Sequence, residues 1–533
     1  MRTDVVRVYK SVHTWTGIVT GLILFIAFYA GALTMFKEPL DRWIAPPAPV
    51  STAGLEKGSE LIDGALALRP EAATGFSLVL AEGNGRPLHV TWERMRNDPD
   101  PWSAILAPDG SVEVTQLDPA GIGLLVDIVH RTAGVPGDLD LGTAVTGIAS
   151  ALYVVALVSG VIILLPSLVK DFLVLRVGRN LKRMWLDAHN VVGIVSLPFH
   201  IVMALSAVVF GLHDQFYDTL NEVVYEGRMR TVIEGSSPMR TLKRDPRPAA
   251  MLPPAEILAR VKAFEPGFAP ASLQYQGYGT GGALVRVWGA DPRYLVRREG
   301  FLLMSAATGA VVDTEYMPGH QGTWSSAVSA FFSLHFGSFG GGTVRWGYFF
   351  LGLAGAFLFY SGNLLWIESR RKTERRHGGL VAQSRSTALM AAGTVGVSLG
   401  CIAGLSLTIA AGKWLHGAVE DLNGWHHGVY YAVFLGACVW AFVRGAARAG
   451  VELLWATAAA TAAIPATTLL AGLLPGLGLW VSDSLGVDLV ALAGALVFAW
   501  MARANARRIR QGPADSVWSG RRLRLEEAAG TAD

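Results

Sequence analysis

Apolar runs long enough to cross a bilayer recur along this chain, and the hydrocarbon of a bilayer admits only helices and closed barrels. Eight runs read as helices, at about 15–36, 143–165, 190–212, 344–367, 387–411, 427–443, 451–474 and 487–503. A hydrocarbon core about 30 Å thick requires about 20 apolar residues of helix. Composition agrees: 51% of the 533 residues are hydrophobic and 16% are charged, against about 25% charged in soluble domains. The expected fold class is therefore a polytopic α-helical membrane protein of about eight transmembrane helices. The first run is preceded by basic residues and ends at Ala30-Gly31-Ala32, like a signal peptide. It exceeds the usual h-region of about 7–15 residues, so an uncleaved helix is expected.

Basic residues orient the spans. They cluster at Arg2/Arg7/Lys10, Arg176/Arg179/Lys182/Arg183, Arg370/Arg371/Lys372/Arg375/Arg376, Arg444/Arg448 and Arg503/Arg507/Arg508/Arg510. These clusters fall before helix 1 and after helices 2, 4, 6 and 8, all on one side. The positive-inside rule makes that side cytoplasmic, with both termini on it. The net charge of +3 is small, and no nucleic-acid partner is expected; membrane lipid is.

Two long polar insertions then lie outside, at 37–142 and 214–343. The first reads as a helix near 58–69 followed by strands at Phe76-Ser-Leu-Val-Leu, Leu88-His-Val-Thr-Trp, Ala104-Ile-Leu-Ala and, after the turn Pro108-Asp109-Gly110, Ser111-Val-Glu-Val. The second repeats that order. Pro253-Pro254 opens a helix to about 264, then come Ser272-Leu-Gln-Tyr, Leu284-Val-Arg-Val-Trp, Phe301-Leu-Leu-Met and Ala310-Val-Val-Asp. The repeat unit is helix, α+β module, helix, occurring twice. The full division is a first helix within 1–36, a module at 37–142, helix 143–170, a loop at 171–189, helix 190–213, a module at 214–343, helix 344–367 and a loop at 368–386. A four-helix membrane bundle at 387–503 and a tail at 504–533 complete it.

Histidines mark both ends of each repeat. His13-Thr-Trp-Thr-Gly17 and His189-Asn-Val-Val-Gly193 each open an apolar run. Val129-His130-Arg131 and Leu334-His335-Phe336 each close a short apolar segment before a glycine-containing turn. By duplication His13 and His189 share one depth, and His130 and His335 another.

His13 with Gly17, Phe36-Lys-Glu38-Pro-Leu-Asp41-Arg-Trp43, His130-Arg131, His189 with Gly193, and His335-Phe-Gly through Gly362-Asn-Leu-Leu-Trp366 together resemble the PepSY-associated transmembrane family over about 1–375. The resemblance implies two outer PepSY-like modules and a bacterial inner-membrane location. It also implies kinship with haem-containing inner-membrane reductases of ferric siderophores. Residues 387–503 resemble the extension of longer members.

The histidines suit that chemistry. A haem iron takes two axial ligands, and neutral imidazole supplies them. Intramembrane ionisable residues are functional candidates by default. The expectation is about two b-type haems, one held by His13 and His189 and one by His130 and His335, with Arg131 and Arg345 positioned for propionates. Lys10 and Arg183 are open to the same role or to lipid headgroups. Each His taken singly also fits a helix cap or a snorkelling interfacial residue. His200, 11 residues after His189 and about 16 Å further along a straight helix, is open to ligation or to a hydrogen bond between helices. His416, His426 and His427 cluster around one short connection and are candidate metal ligands. No C-x-x-C-H occurs, so haem c is not expected. Cys401 and Cys438 read as packing residues.

Gly277-Tyr-Gly-Thr-Gly-Gly282 opens no βαβ unit and reads as a hairpin turn. No cytoplasmic segment is long enough for a flavin or nucleotide domain. Quinol, a separate reductase or a soluble carrier is the expected electron donor, and a ferric chelate the acceptor. The competing expectation is a non-redox transporter or sensor, whose spans would be broken and polar at mid-membrane.

Overall fold

The computed structural model describes residues 3–47, 54–80, 87–93, 101–116, 121–168, 174–176, 181–235, 245–296, 299–375, 384–511 and 516–520. Arg2, Arg179 and Arg376 of the basic clusters lie outside these, as does most of 504–533. Its helices are α1 (Thr3–Thr34), α2 (Lys37–Ile44), α3 (Gly58–Leu68), α4 (Ile122–Thr132), α5 (Leu139–Leu164), α6 (Leu181–Val195), α7 (Leu197–Gly211), α8 (His213–Val223) and α9 (Met229–Gly235). They continue with α10 (Pro254–Phe264), α11 (Thr323–Phe336), α12 (Gly341–Arg375), α13 (Arg385–Leu415), α14 (Leu422–Arg444), α15 (Ala446–Leu473) and α16 (Leu485–Gln511).

Among the described residues seven helices are long and apolar enough to cross a membrane, and α6 with α7 passes the same test as a bent pair, which brings the number to eight where the pair counts as one span. The protein is a multi-pass membrane protein. The third span is not the straight helix expected: α6 and α7 meet at 73°. Pro198 stands at the start of α7. It has no N–H to give, and its ring crowds the carbonyl four residues back. His189 and His200 therefore lie on two differently directed segments, and the separation along one straight axis does not apply.

The chain forms two compact units. One comprises Met1–Pro47, Ala120–Asp214 and Trp346–Asp533, and the other Ala48–Pro119 and Gln215–Arg345. The second unit holds the strand-bearing parts of both insertions, while 37–47 and 120–142 of the first insertion belong to the first unit; the eight strands follow the expected positions closely. They are β1 (Gly75–Val79), β2 (His89–Trp92), β3 (Trp102–Leu106), β4 (Val112–Gln116), β5 (Ala269–Gln276), β6 (Leu284–Ala290), β7 (Gly300–Ser305) and β8 (Val311–Asp313). Rather than two separate sheets, they form one antiparallel sheet in the order β4-β3-β2-β1-β5-β6-β7-β8. The seam is β1 on β5, with Leu78 opposite Leu273 and Phe76 opposite Tyr275. Pairing the first strand of each copy removes two exposed edges at once. Burial alternates along β6, as a half-covered strand requires. Leu61, Ile62 and Ala65 of α3 and Ile257 and Val261 of α10 share one core with the buried sheet face. The glycine-rich 277–282 segment joins β5 to β6, with Gly277 and Gly279 at φ of 66° and 85°, as expected of a turn.

In the first unit α1 packs on α5 and α4, and α5 on α7. The C-terminal helices make their own bundle: α13 packs on α14 and α15, and α15 on α16. Cys401 is fully buried in that packing and both cysteines are free.

Candidate functional site

Four spans surround the histidines of the first unit. His13 and His189 face each other, with ring centres 6.3 Å apart and planes at 79°. Each is pinned by a different neighbour. His13 Nδ1–H donates to the Ala156 carbonyl of α5 at 2.9 Å. His189 Nδ1 lies 3.0 Å from Ser361 Oγ of α12, and that hydroxyl already donates to the Leu358 carbonyl, so the imidazole is the donor. A neutral imidazole carries one N–H and one lone pair. In both rings the lone pair is therefore on Nε2, the tautomer a metal requires, with Nδ1 held as in metal-ligating histidines.

Glycines make the room. A Cβ on Gly160 would stand 3.1 Å from the His13 ring, and one on Gly362 3.8 Å from that of His189. At Gly17, one turn after His13 and on the same face, a Cβ would meet nothing within 4 Å. The His-x-x-x-Gly spacing thus puts open space beside the ring.

His130 sits on α4 and donates from Nδ1 to the Ala27 carbonyl of α1 at 2.7 Å, again leaving the lone pair on Nε2. Its ring lies against α1 so closely that a Cβ on Gly31 would come within 2.8 Å of it. Burial pushes its pKa below the ordinary value, against the opposing effect of the bond to Ala27. His335 belongs to the other unit, near the end of α11, beside Phe336. Both helices stop soon after their histidine in a left-handed residue: Ala133 at φ 50° after α4 and Gly337 at φ 58° after α11. That shared ending is the duplication expressed in the backbone. The structure thus brings His13 and His189 together, whereas His130 and His335 fall in different units.

His200 is fully buried. Its Nδ1 is hydrogen-bonded to the Tyr153 hydroxyl, so a hydrogen bond between helices is formed. Its Nε2 is buried with no hydrogen-bond partner among the described residues. Phe28, Phe199 and Tyr153 enclose the ring. Asn363, on α12 and buried, likewise has an Nδ2 without a partner among the described residues, and its amide faces Gly21 of α1.

Several expected contacts are otherwise engaged. Arg131 lies 3.9 Å from Asp127, one turn earlier on α4. Arg183 and Arg176 both pair with Asp187, a buried carboxylate, at 3.3 and 2.7 Å. Arg345 and Lys10 are exposed. His416, His426 and His427 do not converge. Among the described residues no group of three or more His, Cys, Asp or Glu side chains is placed to hold a metal ion. The reason is local: Asp421 caps α14 by accepting from the Gly424 N–H at 2.7 Å, so His426 and His427 are helical, not in the connection. Neighbours on a helix do not face one another. His427 bonds back to the Asn423 carbonyl, and His416 stacks edge-on with Trp480.

Sequence reasoning passed over Ser361, Asn363, Tyr153 and Asp187. The first three sit inside apolar runs, where a hydroxyl or amide is a readable anomaly; Asp187 is masked by its basic neighbours.

No curated protein matches the chain. The description of the PepSY-associated TM region matches residues 10–369, which takes in His13, His130, His189 and His335, the sheet and the first four spans. With more than half of its length matched, the chain belongs to the PepSY-associated transmembrane family.

Proposed function

We propose that this protein is a b-type haem protein of the bacterial inner membrane that passes electrons outward to reduce a ferric chelate such as a siderophore complex. The observation that carries the reading is the facing pair His13 and His189. Two imidazoles that hold one metal ion between them need their ring centres about 6 Å apart. The observed 6.3 Å fits, as do the two Nε2 lone pairs and the glycine-lined space beside His13. His13 and His189 would hold one haem, and His130 on α4 would serve a second. A haem so ligated supplies one-electron redox chemistry.

The chain's own residues do the rest. Ala156 and Ser361 fix ring orientation and tautomer before any ligand arrives, which lowers the cost of binding. Aromatic rings around His200 keep water from the core of the spans, and a dry surround tunes a bound cofactor's potential. The basic clusters support cytoplasmic termini, which puts the eight-stranded unit outside, where it would offer the chelate its docking surface. Quinol or a separate reductase would supply the electrons.

Purified protein from haem-replete cells is expected to show a Soret band, an α-band that sharpens on dithionite reduction, and about two haems per chain by pyridine haemochrome. Colourless protein would overturn the reading. Reduced protein is expected to be reoxidised by a ferric chelate that cannot cross the membrane. A reporter fused near Asp291 is expected to report an outer location, and one after Arg375 a cytoplasmic one; reversed signals would refute the direction of transfer.

A further inference from the structure

The C-terminal helices carry a buried charged cluster that the haem reading does not use. Lys413, near the end of α13, is almost fully buried, and Asp488, in the first turn of α16, is 8% exposed. Trp43 of α2 lies between them. The Lys413 ammonium stands 3.9 Å from the Trp43 ring centre, and Trp43 Nε1–H donates to Asp488 Oδ1 at 3.0 Å. Thr468 of α15 donates to the same oxygen at 2.9 Å. Lys413 also donates to the Trp480 carbonyl at 3.2 Å.

Helix dipoles favour an acid in a first turn and a base in a last turn, and that accounts for the placement of these residues. It does not account for the other carboxylate oxygen. Asp488 Oδ2 is buried and has no partner among the described residues. An unmet charged acceptor in a low-dielectric site is costly, and a sequence that retains one inside a membrane bundle marks a functional candidate.

The surroundings narrow the ligand. Of the charged or titratable groups on adjoining elements, Lys37 of α2 pairs with Asp127, and Asp41 accepts from the Gly123 N–H. Arg42 offers its backbone carbonyl to Ser482. From α14, His426 lies against Gly412, and His416 stacks on Trp480. Among the groups packed at this point, α15 contributes only the hydroxyls of Thr467 and Thr468. The neighbouring ammonium disfavours a metal cation. A proton needs no cavity.

We propose that Lys413, Trp43 and Asp488 form a proton-binding site of the C-terminal helices, with Asp488 Oδ2 as the accepting atom. The proton comes from hydronium, leaving water behind; nothing is oxidised or reduced. Uptake takes the cluster from one positive and one negative charge to a single positive charge. It also weakens the charge-assisted bond from Trp43, which ties α2, directly after α1, to α16. Proton occupancy is thus felt at the joint between the family region and the C-terminal bundle. The site stands independently of the haem reading.

Infrared difference spectroscopy on the full chain in proteoliposomes, stepped from about pH 9 to about pH 4, tests this. In the wild type minus Asp488→Asn double difference, where the carboxyls common to both cancel, a carboxylic C=O band that grows on acidification and shifts in D2O is expected. Lys413→Met removes the favouring positive charge and is expected to move the midpoint of that band upward by about one pH unit, a tenfold gain in proton affinity. Thr468→Val, which removes a donor to the carboxylate, moves it the same way by less and serves if Asp488→Asn fails to insert. Superimposable spectra of wild type and Asp488→Asn, or a midpoint unmoved in both Lys413→Met and Thr468→Val, would overturn the proposal.

Discussion

The glycines beside His13 and His130 and those at the tightest crossing of the C-terminal bundle serve different ends. Beside two of the histidines a glycine Cβ would meet an imidazole first: 3.1 Å from His13 at Gly160 and 2.8 Å from His130 at Gly31, whereas at Gly355 it would meet the Phe28 ring before His200. In the C-terminal bundle a Cβ on Gly396 would stand 2.9 Å from the Cys438 Cα and one on Gly400 3.0 Å from the Phe434 carbonyl, atoms of the neighbouring helix's own backbone. Small residues let membrane helices close up, and α13 shows it, with Thr394, Ser398, Gly400, Gly404 and Thr408 all buried. At Gly160 and Gly31 the missing side chain makes room for a ring, and at Gly396 and Gly400, as at Gly147 and Gly211 between α5 and α7, it lets two helices touch. Glycine content alone therefore says nothing about a cofactor; what each glycine faces does.

The contrast predicts effects of unequal size. The largest concerns the ligands. His13→Ala and His189→Ala are each expected to abolish the same haem, and the double variant to add little, because residues acting as one unit are non-additive. His13→Ala with His130→Ala is expected to lose both haems. A His189→Ala protein with two haems at full occupancy would sink the pairing, whatever the protein's activity.

Next come the glycines. Gly31→Val places a side chain against His130 and should break its bond to Ala27, lowering occupancy of the second haem alone. Gly396→Val should leave haem per folded molecule unchanged. It should lower stability by about 1–3 kcal/mol through overpacking, read as a shift in thermal unfolding in detergent. Haem loss in Gly396→Val would erase the distinction between the two regions.

The smallest effect sharpens the role of His200. Tyr153→Phe removes the hydroxyl from His200 Nδ1 and should cost about 1 kcal/mol, with both haems retained. His200→Ala should likewise keep them. Loss of a haem in either variant would make His200 a ligand and displace His189 from that role.

Much of this was legible in the chain. The spans, the helix and strand positions of both insertions and the pairing of His13 with His189 follow from apolar length, period-two alternation and internal duplication. Each of those is a local or repeated pattern. The duplication also carries through to the left-handed caps after His130 and His335. The fate of the His416, His426 and His427 group was half-legible, since Asp421 is a visible cap that draws two of them into α14.

Other features were decided only by tertiary structure. Two four-stranded modules became one sheet because β1 found β5 across nearly two hundred residues of chain, a choice of partner that alternation within a strand cannot specify. The bend between α6 and α7 was signalled by Pro198, but its 73° depends on how the freed backbone groups are met by neighbours. The tautomers of His13 and His189 were set by Ala156 and Ser361, which lie on helices remote in sequence. Trp43, Lys413 and Asp488, each unremarkable alone in the sequence, became one site because three distant helix ends pack together. A sequence displays which side chains favour apolar surroundings and with what period. Which polar atoms then meet is settled only when the burial of every other group leaves them no alternative.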